Sequence, residues 1–200
     1  IRDRTYRMAD VSYPDAVKMM RAFVKKRRVP DCSLCVEVAY LDIDQMRSTF
    51  TELATLLLGD AKQAKSFMSK AKLHSMEELE DSWWNLYEKL LSTDRAVELS
   101  LKIELEDFLY YVQKLIHNKN LSTDENLTGD VSIDTAAFDD SQCIGDWCAH
   151  FNSTWKNHKL VGMDIGTDSL VLMVLSNEEF KTAQELAKEL LHRIDVAERL

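Results

Sequence analysis

A chain of 200 residues with 46% apolar and 30% charged side chains has the composition of an ordinary folded protein, long enough for one core or for a domain with an appended segment. Its formal net charge of −9 opposes general nucleic-acid binding, where phosphate neutralisation needs a basic face, and suits a basic partner instead. The longest unbroken apolar run, Leu170 to Leu175, is far short of the roughly 18 residues of a membrane span, and four cysteines are few for a disulfide framework, so a reduced cytoplasmic chain without a membrane segment is expected.

Residues 1 to 12 are polar and irregular. Pro14 and Asp15 then start a helix that runs to about Arg27, with Ala16, Val17, Met20, Phe23 and Val24 on one face. Its basic end, Lys25 to Arg28, complements the negative end of the helix dipole, a simpler reading than phosphate contact in so acidic a chain. After Pro30, Leu34, Val36, Val38 and Tyr40 alternate with Cys35, Glu37, Ala39 and Leu41 as a half-buried strand. Asp42 or Asp44 caps the next helix, which keeps Met46, Phe50, Leu53, Leu56 and Leu57 on one face until Gly59, and a short helix follows from Asp60 to about Lys72. Ser75 to Glu78 has capping-box spacing and opens a helix with Met76, Leu79, Trp83, Leu86, Tyr87 and Leu90 in one stripe. Trp84 stands beside that stripe, either at a core margin or as a partner contact.

Val97 to Leu105 alternates strictly, which predicts an extended segment before a helix from about Leu105 to His117. The polar stretch that follows, with 119–130 as an internal loop or linker, has no apolar periodicity. A short extended Val131 to Asp134 precedes a helix expected from Asp139 or Asp140, with Ile144, Trp147, Cys148, Phe151 and Trp155 inward. Residues 159–176 form the clearest hairpin. Val161, Met163 and Ile165 alternate with Leu160, Gly162 and Asp164 before a turn at Gly166 to Asp168, and an unbroken apolar strand follows. A half-covered strand beside one buried on both faces is the expectation. Ser176 or Asn177 caps the last helix, whose stripe of Phe180, Ala183, Leu186, Ala187, Leu190, Leu191 and Ile194 covers the hairpin. The fold class is α+β: a helix-rich single domain with a small antiparallel sheet built on the 159–176 hairpin and covered by helices. Residues 1–48 form an N-terminal helix and strand segment, and 49–200 the main domain.

Chemical motifs are sparse. Asp130, Asp134, Asp139, Asp140, Asp146, Asp164 and Asp168 crowd the last third, but Asp139 and Asp140 suit a helix start, and Asp164 and Asp168 flank a turn. Cys32 and Cys35 have metal-pair or redox spacing, yet they enter a strand, and Cys143 with Cys148 is a poor second pair, so core thiols are the plainer reading. The histidines His74, His117, His150, His158 and His192 match no metalloprotease spacing, and no phosphate-cradling glycine loop or nucleophile elbow is present. No catalytic residue, cofactor or metal ligand is assigned. Asparagines 126 and 152 stand in glycosylation sequons, a pattern common by chance.

Asp164-Ile-Gly-Thr-Asp-Ser169, followed by an apolar strand and an acid-capped helix, resembles a bacterial family of unknown function, the domain of unknown function number 6630. Further likenesses are the FTELATLLLGD run at 50–60, the helix bearing Trp83 and Trp84, and Phe138-Asp139-Asp140 before a helix, so that the resemblance covers about residues 50–190. It implies a bacterial, cytoplasmic α+β domain and transfers no catalytic residue. The expected function is a non-enzymatic acidic interaction domain, of the kind represented by immunity or antitoxin-like proteins that neutralise a basic toxin. Candidate partner contacts are Trp84, Asp139, Asp140, Asp146, Trp147, Asp164 and Asp168. The alternatives are a metal-binding hydrolase or regulatory protein with Asp or Cys ligands, and an accessory domain that forms homo-oligomers through a strand edge.

Overall fold

The computed structural model describes residues 5–7, 13–26, 36–38, 43–119, 121, 131 and 133–200. The chain divides into two compact units, Ile1–Asp42 and Ile43–Leu200. In the first, strands β1 (Thr5–Arg7) and β2 (Val36–Val38) pair antiparallel, with Thr5 opposite Val38 and Arg7 opposite Val36. Helix α1 (Tyr13–Lys26) lies between them in sequence. Of the strand expected at 34–41, the described part is β2, and its partner β1 lies within the residues that read as irregular.

The second unit holds α2 (Ile43–Leu58), α3 (Ala61–Met68), α4 (Met76–Ser92), β3 (Val97–Ser100), α5 (Leu105–Asn118), α6 (Ile144–Thr154), β4 (His158–Met163), β5 (Ser169–Ser176), α7 (Asn177–Glu189) and β6 (Ile194–Val196). It begins at Ile43 and so takes in the whole of α2. The helix starts follow local chemistry. Asp60 accepts the N–H groups of Lys62 and Gln63, Ser75 accepts that of Glu78, and Ser176 and Glu179 each accept the other's backbone N–H.

Four antiparallel strands form one sheet in the order β3-β5-β4-β6. In the hairpin Val161 faces Met173 and Gly162 faces Leu172. The period of two then sends Leu160, Leu170, Leu172 and Val174 to one face, where they join Phe108, Val112 and Leu115 of α5 and Trp147, Cys148 and Phe151 of α6. Val161, Met163, Val171, Met173 and Leu175 take the other face, buried on the side that carries α2, α4 and α7. The sheet is thus the middle of three layers. This corrects the expectation of a half-covered first hairpin strand. Leu160 and Gly162 are as buried as Val161, because β4 lies inside the sheet between β5 and β6 and has helices on both faces.

Four other boundaries differ from expectation for identifiable reasons. The alternation at 97–105 continues past the strand, which ends at Ser100; Leu101 is 56% exposed, and the amide of Ile103 returns to the Ser100 carbonyl. Val131 and Ile133 belong to no strand and instead lean on the α5 and α6 core. Helix α6 starts at Ile144 rather than at Asp139 or Asp140, because Asp146 reaches back to the Cys143 N–H and caps it there. The last helix stops at Glu189, and Ile194 lies in edge strand β6. The stop is a Schellman turn, with Leu191 N–H on the Lys188 carbonyl and His192 N–H on the Ala187 carbonyl. Leu191 fills its left-handed position at φ 63° where glycine is usual, so the sequence carries no stop signal.

Candidate functional site

Helix α4 buries Leu79, Ser82, Trp83, Leu86, Tyr87 and Leu90, and Ser82 settles its hydroxyl on the Lys72 carbonyl at 2.8 Å. Its opposite face repeats at helical spacing: Glu77, Glu80, Asp81, Trp84 and Glu88 all point to solvent. Trp84 is 41% exposed and stands among these four carboxylates, its ring edge-on to Tyr87 with centroids 5.1 Å apart. Neighbouring tryptophans on one helix therefore have opposite fates. Trp83 is sealed at 2% exposure, while Trp84 offers an aromatic plane framed by negative charge.

Buried contacts tie this helix to the hairpin. Trp83 Nε1 donates to the Asp164 carbonyl at 2.9 Å, and its indole stacks on the His192 imidazole at 4.0 Å and 6°. His192 is held there by the turn at Leu191, its side chain 9% exposed. Its Nε2 has no hydrogen-bond partner and lies 3.8 Å from Glu80 Oε1. Desolvation pulls its pKa below the ordinary value against the attraction of Glu80 and Asp164. One turn further along α4, Tyr87 donates to Glu98 Oε2 at 2.5 Å. Burial first, and then that carboxylate, push the Tyr87 hydroxyl up to about 12. Tyr87 and then Ser169 hold Glu98 below the usual carboxylate range. In the turn itself Asp164 Oδ1 accepts the Gly166 N–H, and Gly166 supplies the positive φ of 71°.

The residues singled out from sequence fall into two groups in opposite layers. Trp84, Asp164 and Asp168 belong to α4 and the adjoining turn, all exposed. Asp139, Asp140, Asp146 and Trp147 lie at the start of α6, beyond the other face of the sheet. Trp147 is only 4% exposed, packs on Phe108 at 5.3 Å and donates to the Asp139 carbonyl, so in the folded chain it is a core residue, not a surface contact. Asp139 accepts the Ser141 N–H, and Asp146 accepts first the Cys143 thiol and then the Cys143 N–H; these bonds hold both carboxyls below their ordinary range. Glu77, Glu80, Asp81 and Glu88 were missed. The i, i+4, i+7, i+11 spacing of Glu77, Asp81, Trp84 and Glu88 was legible, had the polar face been read as closely as the apolar one.

No group of three or more His, Cys, Asp or Glu side chains is placed to hold a metal ion among the described residues. Cys32 and Cys35 lie outside the described residues; Cys143 is exposed, and Cys148 is buried with its thiol pushed far up by desolvation. Asn152 is buried and donates to Leu160 and Glu198, so its sequon is closed in the fold, while the sequon at 126 lies outside the described residues. A groove of about 410 Å³ beside α6 and α7 contains Asn152, Lys159, Gln184, Asp195 and Glu198, whose polar atoms bond within the protein. Among the described residues no helix is long and apolar enough to cross a membrane.

The second unit is therefore a helix-rich α+β domain with a four-stranded antiparallel sheet and an acidic, tryptophan-centred helix face. The chain belongs to the family described as Domain of unknown function (DUF6630), which matches residues 43–197. No curated protein and no solved structure matches it.

Proposed function

We propose that this is a bacterial, cytoplasmic, non-enzymatic interaction domain that binds a basic protein, in the manner of an immunity or antitoxin-like protein that covers a cationic toxin surface. The observation that carries the reading is Trp84, 41% exposed among Glu77, Glu80, Asp81 and Glu88. A tryptophan plane attracts arginine and lysine through its quadrupole, and surrounding carboxylates steer and orient such a partner. The charge of the chain supports this. Residues 43–200 carry 28 acidic and 16 basic side chains, a formal −12, whereas 1–42 carry six acidic and nine basic. Asp164 and Asp168 extend the acidic surface from the adjoining turn.

The test is affinity capture from the native host with wild type, Trp84→Ala and an Asp139→Asn, Asp140→Asn control. A stoichiometric basic protein is expected on the wild type and the control and is lost with Trp84→Ala. Recovery of no such partner, or equal recovery on all three, sinks the reading.

A further inference from the structure

Between the two tryptophans of α4 stands one carboxylate. Glu80 precedes Trp83 by three residues and Trp84 by four, so helical spacing sets it on the boundary between the sealed indole and the exposed one. On the sealed side lies His192, stacked flat on Trp83, its side chain 9% exposed and its Nε2 without a hydrogen-bond partner. Buried polar atoms are almost always paired, so an orphaned imidazole nitrogen 3.8 Å from a carboxylate oxygen marks a bond that is open in this state and can close in another. Glu80 is free to close it. Its side chain is 66% exposed, and among the described residues it forms no ion pair with a lysine or arginine.

Desolvation against Trp83 favours the neutral ring of His192, while Glu80 from α4 and Asp164 from the turn after β4 favour the imidazolium. The neighbours on its own segment are turned elsewhere: Arg193 bonds Asp195 and the Arg199 carbonyl, Glu189 accepts the Thr49 hydroxyl, and Lys188 is exposed. The Asp164 carboxylate is tied to the Gly166 N–H, which leaves Glu80 as the charge able to move.

We propose that a proton on His192 and a cationic group docked beside Trp84 compete for the Glu80 carboxylate, so that the α4 face binds its basic partner with His192 neutral and releases it in acid. The proposal rests on the reading of the α4 face as a cation site and adds the regulation of that site. With His192 neutral, Glu80 stays with Glu77, Asp81 and Glu88 around the exposed indole and adds to the field that holds a guanidinium or ammonium there. With His192 protonated, closing the gap by about 1 Å makes a charge-assisted bond of ordinary length, and the face loses one of its four carboxylates. The imidazolium also repels a cation arriving at the same carboxylate. Linkage gives the sign. His192 has a folded pKa below its ordinary 6.5, so affinity is complete above about pH 6.5 and falls as pH declines toward the folded value. By reciprocity, a bound cation lowers that pKa by the same factor.

The test uses the full chain and an acetylated, amidated tetra-arginine peptide as the cationic probe, with affinity measured by calorimetry and His192 followed through its imidazole resonances. Between pH 7 and 5, wild type is expected to lose at least about threefold more affinity than His192→Phe, whose loss reports the surface carboxylates alone. Saturating peptide is expected to lower the His192 pKa by about 0.5 in wild type, the same threefold read from the other side, and by less than half as much in Glu80→Gln. Equal pH dependence in wild type and His192→Phe, or a His192 pKa that the peptide leaves in place, overturns the proposal. The resonance titration of wild type needs no substitution, so it decides the matter even if His192→Phe fails to fold. Trp84→Ala separates the proposal from the reading beneath it. If the peptide binds Trp84→Ala as tightly as wild type, the α4 site itself fails and the competition falls with it. If Trp84→Ala binds weakly while wild type and His192→Phe respond to pH alike, the site stands and only the proton linkage is lost.

Discussion

The two ends of the central strand β5 are built on different terms. At its C-terminal end Lys119 Nζ donates to the Val174 carbonyl at 2.9 Å and to Glu179 Oε2 at 2.5 Å. The same carboxylate accepts the Ser176 N–H, while Ser176 Oγ accepts that of Glu179. Burial alone would raise the Glu179 pKa; Lys119 and Ser176 outweigh it and hold the carboxyl below its ordinary value. At the hairpin end the buried imidazole of His192 leaves Nε2 unbonded, and Trp84 stands half in water. One end is a closed polar network that joins α5, β5 and α7, and the other joins α4 to the hairpin through stacking and leaves polar capacity unused. A satisfied network rigidifies a fold, whereas unused capacity is where a partner or a proton can act.

The largest expected effect tests whether the adjacent tryptophans divide structure from binding. Trp83→Ala removes a sealed indole, its stack on His192 and its bond to Asp164, a loss of about 3–5 kcal/mol in urea unfolding. Trp84→Ala is expected to cost less than about 1 kcal/mol, since its ring is already partly solvated. Equal losses would dissolve the distinction between a packing face and a binding face on α4.

Next in size is the closed end. Glu179→Gln keeps the shape of the side chain but leaves the Lys119 ammonium without its counter-ion and weakens the reach back to Ser176. The side chains are 22% and 33% exposed, so solvent screens part of the loss, and about 1–3 kcal/mol is expected by the same measurement. A smaller cost follows from Tyr87→Phe, which deletes one hydrogen bond to an outward-facing carboxylate, about 1 kcal/mol. If Tyr87→Phe costs more than Glu179→Gln, the hairpin end is the more tightly secured one, and the comparison is reversed.

Much of this division was legible in residue order, through local signals. Helical periodicity placed Trp83 inward and Trp84 at the margin, and the capping spacing at Ser75 and Ser176 located two helix starts. The hairpin was readable from Gly166 and the apolar run after it, and the short fingerprint at 164–169 pointed to the family that matches 43–197. What escaped depends on distant partners or on backbone states without a residue signature. Strand β6 was hidden because Leu191 turns the chain at a positive φ with no glycine to announce it. The stack of His192 on Trp83 joins residues far apart in the chain, and neither shows its partner in sequence. Helical spacing already turns Trp147 inward; its place among the candidate contacts came from aspartate neighbours that resemble a surface cluster, whereas Asp139 and Asp146 serve the local backbone.

The smallest effect isolates the hairpin end by pH. His192 has a folded pKa below its ordinary 6.5, so the unfolded chain binds the proton more readily than the native one. The contribution of neutral, stacked His192 is therefore complete above about pH 6.5 and declines as pH falls from there toward the folded value. One proton limits the slope to about 1.4 kcal/mol per pH unit. The facing groups set how far the decline goes: Glu80 on α4 and Asp164 in the turn both favour the imidazolium, and desolvation beneath Trp83 opposes it. The closed end responds elsewhere. Glu179 has a lowered pKa, so its contribution is complete above its ordinary 4.5 and is lost only as pH falls through the folded value. Thermal melts between pH 5 and 6.5 should thus fall for wild type and stay level for His192→Phe, which keeps a ring on Trp83 and removes the titrating nitrogen. Parallel slopes in the two proteins would assign the proton to another histidine and leave the unbonded Nε2 without a role in acid sensitivity.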